Sequence, residues 1–179
     1  MSNQQPIITV TAGRQLVTSP AAVLVFIFNE AGELLLLAHP KRGGAWEVVN
    51  GALDAEETIL EGALREAGEE IGRTAVIEPV GICHAYTFRY DDYAQYMISL
   101  CVVAHYQGGE IVPGDDMVGS MYRWWSLAEL AIADVQLVVP SKQMWLLRRA
   151  QQTYRLWRAE QVELQPVAAL DSSNKPKAK

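Results

Sequence analysis

The sequence predicts an α+β fold in which a mixed sheet lies between helices. Three observations lead there. Val-, Ile- and Leu-rich runs of strand length outnumber the helical patterns. Most of those runs pair up as two hairpins, and the two substantial helices fall in the middle and at the end of the chain instead of alternating with every strand. The chain has 179 residues, 50% of them hydrophobic and 20% charged, which suits one soluble domain with a core of its own. We divide it into an N-terminal arm (1–20), a main domain (21–162) and a flexible tail (163–179) without a hydrophobic pattern.

Taken in order, Ile7–Thr11 alternates weakly and reads as a first strand. Ala21–Phe28, AAVLVFIF, is continuous and apolar, the pattern of a strand buried on both faces. Asn29–Gly32 is a turn, and the LLLLA run ending at Ala38 completes the first hairpin. His39 to Gly44 is a loop punctuated by Pro40 and two glycines, and Trp46–Val49 is short and extended. A helix is expected from about Glu56 to Ile71, stopped by Gly72. Ala75–Tyr90 and Ala94–Tyr106 form the second hairpin, around Asp91-Asp92. A Gly- and Asp-rich loop covers Gln107–Gly119, and Tyr122–Trp125 is an aromatic strand. Ser126 caps a small helix over Leu127–Ala131. A long amphipathic helix starts near Pro140 and runs to about Val162, with Met144, Leu147, Tyr154 and Trp157 on its apolar side.

A net charge of -6 and a pI near 5.1 argue against a basic nucleic-acid-binding surface. The longest apolar run is far too short to span a bilayer. Cys83 and Cys101 lie in strand-like runs and read as two buried free thiols. The polar start MSNQQP does not resemble a signal peptide. A reducing cytoplasm is the expected compartment, with no membrane or nucleic-acid partner.

The central helix poses the chemical question. Glu66, Glu69 and Glu70 crowd one turn, and each like-charged pair at these spacings costs an isolated helix roughly 0.2–0.5 kcal/mol. Wound at about 100° per residue, Leu60, Ala63, Leu64, Ala67 and Ile71 form an apolar stripe facing the core, with the carboxylates at its edge. Two readings compete: a solvated acidic face, or oxygen ligands for a hard divalent cation, which would let an acidic protein hold a polyphosphate.

The segment upstream favours the second. Gly51, five residues, Glu57, seven residues, then Arg65-Glu66-Ala67-Gly68-Glu69-Glu70-Ile71-Gly72 resembles the Nudix box of the Nudix hydrolase family. Trp46, Trp125 and Glu129-Leu130 fit the family's wider pattern, so the resemblance covers roughly residues 21–156. The sequence departs at Ala67, where the family has a larger aliphatic residue, at Arg73, which is not aliphatic, and at Val49-Asn50-Gly51, where Pro-Gly-Gly or Pro-Ala-Gly is common. None of these removes an acidic position.

The resemblance implies an α/β/α sandwich with the box on a loop-helix-loop. It further implies Mg²⁺- or Mn²⁺-dependent hydrolysis of a diphosphate linkage in a nucleoside diphosphate joined to another moiety. The moiety could be a sugar, an ADP-ribose-like group, a second nucleoside or a further phosphate. In this pattern Glu66, Glu69 and Glu70 are metal ligands, with the carbonyl of Gly51. Arg65, paired with Glu57, steadies them. Asp115 or Asp116 is a candidate base from the later loop, against a solvated turn. Lys41 or Arg42 is a candidate phosphate contact, against plain surface charge. Trp46 and Tyr90 complete the substrate candidates. His84, Tyr86, Phe88 and Tyr90 alternate onto one face of a strand, either to stack on a base or merely to pack on one another. A non-catalytic nucleotide sensor on the same fold is the alternative, although such domains usually lose box acids. The arm over Ile7–Val17 suggests a homodimer contact or an extra edge strand.

Overall fold

Ala21–Phe28 (β3) is the spine of the sheet, and from Val23 onward its side chains are buried. The computed structural model describes residues 7–92, 95–138 and 143–164. Along one edge β3 pairs in parallel with Tyr96–Gly108 (β8), which pairs antiparallel with Val76–Arg89 (β7). The other edge is shared. Val49–Ala52 (β6) pairs with Ala22–Val25, whereas Leu34–Ala38 (β4) meets β3 only at Phe28 and Leu34. Thus the expected first hairpin is joined beside its turn and then opens. Beyond that point β4 pairs with Trp46–Glu47 (β5) and Tyr122–Trp125 (β9).

This is the α+β mixed sheet expected, covered on both faces. Ile59–Glu70 (α1) packs over Val23, Val25, Val49 and Val102. Leu127–Ile132 (α2) and Met144–Leu164 (α3) cover the opposite face, over Leu24, Phe26, Leu36 and Cys101. Two cores therefore sandwich one sheet. Ser126 caps α2 as expected, and Glu129 reaches back to complete a capping box. The positions near Pro140 where α3 was expected to begin lie outside the described residues, as does the tail over 165–179. No helix among the described residues is long and apolar enough to cross a membrane. Cys83 and Cys101 are free thiols, but Cys83 is only half-buried.

The arm is a different object from the one expected. Ile7–Thr9 (β1) folds back on Gln15–Val17 (β2) as a two-stranded hairpin of its own, so it is not an edge strand of the main sheet. At the far end of the sheet, Tyr154 on α3 stacks on Phe28 at 5.1 Å. Its hydroxyl donates to the carbonyl of Asn29 at 2.9 Å and lies 2.9 Å from His105 Nδ1. On its other side His105 Nε2 lies 3.4 Å from Glu30 Oε1. One phenol thus ties α3 to β8 and to the turn after β3. Tyr154→Phe leaves a buried carbonyl and imidazole without this partner. The expected result is a loss of about 1–3 kcal/mol, seen as a lower urea midpoint with an unchanged slope.

Candidate functional site

The acidic helix begins with a capping box, Thr58-x-x-Glu61, that the sequence carried and our reading of it missed. Thr58 accepts from the Glu61 amide, and Glu61 Oε2 accepts from the Thr58 amide at 2.8 Å, so α1 starts at Ile59 instead of Glu56. Its orientation also departs from the expected stripe. Ala63, Ala67 and Ile71 do face the core, but Leu60 and Leu64 are 49% and 44% exposed, whereas Glu66 and Glu70 are buried. The reason lies on the facing strand. Gly51 has no side chain, and a Cβ there would sit 2.0–2.2 Å from the Glu66 carboxyl atoms. The hollow is filled by a carboxylate, and the helix is rotated to deliver it.

Arg65 makes that arrangement tolerable. Its Nε donates to Glu57 Oε1 at 2.6 Å and one terminal nitrogen donates to Glu57 Oε2 and the Ala52 carbonyl. The other donates to Glu66 at 2.9 Å and Glu69 at 3.0 Å. Every N–H of the guanidinium has an acceptor, a use that its planar fork suits. The pairing raises the Arg65 pKa and lowers that of Glu57. Glu66 is instead raised, because burial outweighs the help from Arg65.

Glu70 lies beyond the reach of that cation. It is 6% exposed. Oε1 accepts the Asn50 amide at 3.2 Å, and Oε2 is buried with no hydrogen-bond partner. Burial first, and then the charges of Glu47, Glu66 and Asp116, push its pKa up to about 9 against the Asn50 hydrogen bond. A buried polar atom left unpaired is rare in folded proteins.

The late loop arrives because α1 leaves carbonyls unpaired at its C-terminus. The Gly114 amide donates to the Glu70 carbonyl and the Val112 amide to that of Ile71. Met117 is buried in the α1 core, and the 3-10 turn Asp115–Met117 therefore sits over the carboxylates. Asp116 Oδ2 comes 3.9 Å from His39 Nε2, which lies 3.6 Å from Glu47 Oε1. His39 Nδ1 accepts the Lys41 amide, so the neutral ring presents Nε2–H to these two carboxylates. Its pKa is lowered, by burial first and then by Arg42. Arg42 donates to Glu47 Oε2 at 2.7 Å. Burial raises the pKa of Glu47 despite that contact.

His39, Glu47, Arg42, Asn50, Gly51, Glu66, Glu69, Glu70, Asp115 and Asp116 together line a polar cavity of about 280 Å³. Sequence reasoning missed His39, Glu47 and Asn50. Glu47 did carry a signal: a charged residue inside the apolar run Trp46–Val49, only 3% exposed in the fold. A second cavity, of about 400 Å³, shares Arg42, Glu47, Asn50 and Gly51 with the first. Tyr86, Phe88 and Tyr90 line it. His84, the fourth member of that alternation, packs on Trp145 of α3 at 5.0 Å. Trp46 lines neither cavity; it meets Trp125 edge-on at 5.5 Å in the α3-side core. Lys41 is exposed outside both.

The donor set suits a hard divalent cation: carboxylate oxygens, one of them orphaned, around a hollow that a Cβ would fill. As arranged, Arg65 occupies one oxygen of Glu66 and one of Glu69. Among the described residues no three acidic, His or Cys groups form a finished coordination cluster.

Two outcomes follow. Gly51→Ala must displace the Glu66 carboxyl, with an expected cost of about 1–3 kcal/mol in chemical denaturation. The Glu70 value lies above the ordinary 4.5, so stability from its proton is fully present below pH 4.5 and lost as pH rises through about 9. Glu66 and Glu47 act in the same direction. In chelator, the melting temperature is expected to fall across that window, and Glu70→Gln is expected to flatten the fall.

Comparison with known proteins accords with this geometry. A family model described as the NUDIX domain matches residues 18–145. An ADP-ribose pyrophosphatase from Streptococcus suis superposes with a TM-score of 0.60 and 18% identity, covering 77% of this chain and 93% of that one. The MutT protein of Methanosarcina mazei gives 0.59 and 23%, covering 76% and 96%. A NUDIX-family hydrolase from Clostridium perfringens gives 0.60 and 19%, covering 78% and 99%. At these identities the structures speak for the fold alone. A curated octanoyltransferase of Myxococcus xanthus is 39% identical over 57 residues, 32% of this chain, and the chain spans only 16% of that protein. The matched domain covers most of the chain and contains the whole acidic box: the chain belongs to the NUDIX family and has the fold of its hydrolases.

Proposed function

We propose that the protein is a divalent-metal-dependent pyrophosphohydrolase that cuts the diphosphate linkage of a nucleoside diphosphate joined to another moiety. The observation that carries this reading is the orphaned Glu70 oxygen in a buried carboxylate cluster. Among the described residues no cation is hydrogen-bonded to this oxygen. The similar structures include an ADP-ribose pyrophosphatase and a dihydroneopterin triphosphate pyrophosphohydrolase.

Glu66, Glu69 and Glu70, with the Gly51 carbonyl, would hold Mg²⁺ or Mn²⁺. When bound, the ion offsets the charge of the phosphate oxygens and polarises phosphorus. The chain's own groups do the rest. Asp116, on the loop held to α1, would take the proton of an attacking water. That water adds to one phosphorus as the bond from phosphorus to the bridging oxygen breaks, leaving two phosphate-bearing products. Arg42, on the cavity wall, would donate to phosphate oxygens. The leaving moiety is a sugar, an ADP-ribose-like group, a second nucleoside or a phosphate, and a cytoplasmic setting suits free nucleotides. The exposed Ile7, Ile8 and Val17 of the β1–β2 hairpin support a homodimer contact.

Incubation with Mg²⁺ and a panel of nucleotide sugars, ADP-ribose, dinucleoside polyphosphates and nucleoside triphosphates tests the reading. Turnover is expected, and Glu70→Gln should lower kcat by about a hundred-fold or more, as removal of a transition-state electrostatic contact does. Nucleotide binding without turnover on any of them would replace this reading with the sensor.

A further inference from the structure

Cys83 and Cys101 stand on neighbouring strands, and an irregularity in the pairing brings them together. Along β7 and β8, Ile82 lies opposite Val102 and His84 opposite Cys101, so Cys83 is one residue too many. In a regular strand consecutive side chains point to opposite faces. At a bulge two residues share one partner, and a side chain is re-aimed. Cys83 and His84 accordingly both lie on the α3 side. His84 packs on Trp145 of α3, and Cys83 packs against the core that contains Cys101. The two sulfurs are within hydrogen-bonding reach of each other. Residues facing one another across antiparallel strands have Cα atoms about 4.5–5.5 Å apart, inside the range of about 4.4–6.8 Å that a disulfide spans.

The two thiols are not equivalent. Cys101 is fully buried, whereas Cys83 is only half-buried and open to small solutes. Arg149 on α3 sets a positive charge near Cys83, with its Nη1 3.3 Å from His84 Nδ1. The contact with Cys101, helped by Arg149, holds the Cys83 pKa below the usual thiol value against its burial. The same contact, together with burial, raises that of Cys101. Cys83 therefore loses its proton first and meets solvent, and Cys101 waits behind it. Thiolate character, access and a second thiol alongside are what make a cysteine responsive to oxidants.

We infer that Cys83 and Cys101 are a modification site: on meeting a peroxide they form an intramolecular disulfide, with Cys83 reacting first and Cys101 resolving it. The inference stands apart from the reading of the acidic cavity. The Cys83 thiolate attacks one peroxide oxygen, the O–O bond breaks, and Cys83 becomes a sulfenic acid as hydroxide leaves. The Cys101 sulfur then attacks the Cys83 sulfur. An S–S bond forms as the S–O bond breaks, and the Cys101 proton departs with the hydroxide as water. Two thiols have lost two electrons, and one peroxide has become two waters. Thiol reductants reverse the bond by exchange. While it lasts, the β7–β8 hairpin that carries Tyr86 and Phe88 is a covalent loop.

The test treats the reduced full chain with stoichiometric hydrogen peroxide and reads intact mass, a non-reducing gel and a peptide map. The expected product is a monomer lighter by two hydrogens, with the Cys83 and Cys101 peptides joined and dithiothreitol restoring the starting mass. Cys101→Ala is expected to stop at a sulfenic acid on Cys83 that dimedone captures. In Cys83→Ser, oxidation of Cys101 should be at least about ten-fold slower than loss of thiols in the parent, since the remaining thiol is buried. Any of three results in the parent chain would overturn the inference: oxygen added at Cys83 without a link, a dimer joined through Cys83, or methionines oxidised while both thiols stay free. Cys101 reacting as fast without Cys83 would overturn the order of attack and with it the inference.

Discussion

The structure depends on one guanidinium. Arg65 gives all its N–H groups to acceptors on three elements: Glu57 before α1, Glu66 and Glu69 on it, and the Ala52 carbonyl at the end of β6. Without it the Glu66 carboxylate that fills the hollow at Gly51 would lose its partner cation. Yet the same cation stops short of Glu70. The helix is therefore balanced on one side and left in deficit on the other, and that deficit gives the polar cavity its chemistry.

Much of this was legible in the residues. The box spacing named the carboxylates and Arg65, and the pairing of Arg65 with Glu57 followed from the same pattern. The alternation His84, Tyr86, Phe88, Tyr90 placed four rings on one strand face. The rotation of α1 was not legible. Helical periodicity counts Leu60 and Leu64 as inward residues, and only the facing strand reveals that a glycine leaves room for Glu66 instead. His39 and Glu47 were missed for a related reason. Their burial depends on β5, the loop before it and a loop some seventy residues later (Asp116) coming together, which no local window contains. Trp46 shows the reverse error. A large aromatic next to a site looks like a ligand contact, but Trp46 packs on Trp125 in the opposite core.

The two cavities are neighbours because β3 divides one edge between β6 and β4. A continuous hairpin would have kept β4 alongside β3 and closed the surface there. Since β4 leaves for β5 and β9, Glu47, Asn50 and Gly51 stand on the margin of the opening and border both spaces. One margin thereby borders both a polar space and a largely apolar one.

The parallel pairing of β3 with β8 has a kinetic consequence. Parallel strands cannot close through a tight turn, and here the intervening chain carries β4, β5, β6, α1 and β7. Contacts so remote in sequence are slow to form, since the loop entropy must be lost before they stabilise anything. The carboxylates lie on the segment enclosed by that closure, and their hollow exists only once β6 is seated on β3. A partly folded chain offers scattered glutamates and no pocket. Cations and nucleotides should consequently slow unfolding without hastening folding: they act as latches on a finished structure, not as templates for it.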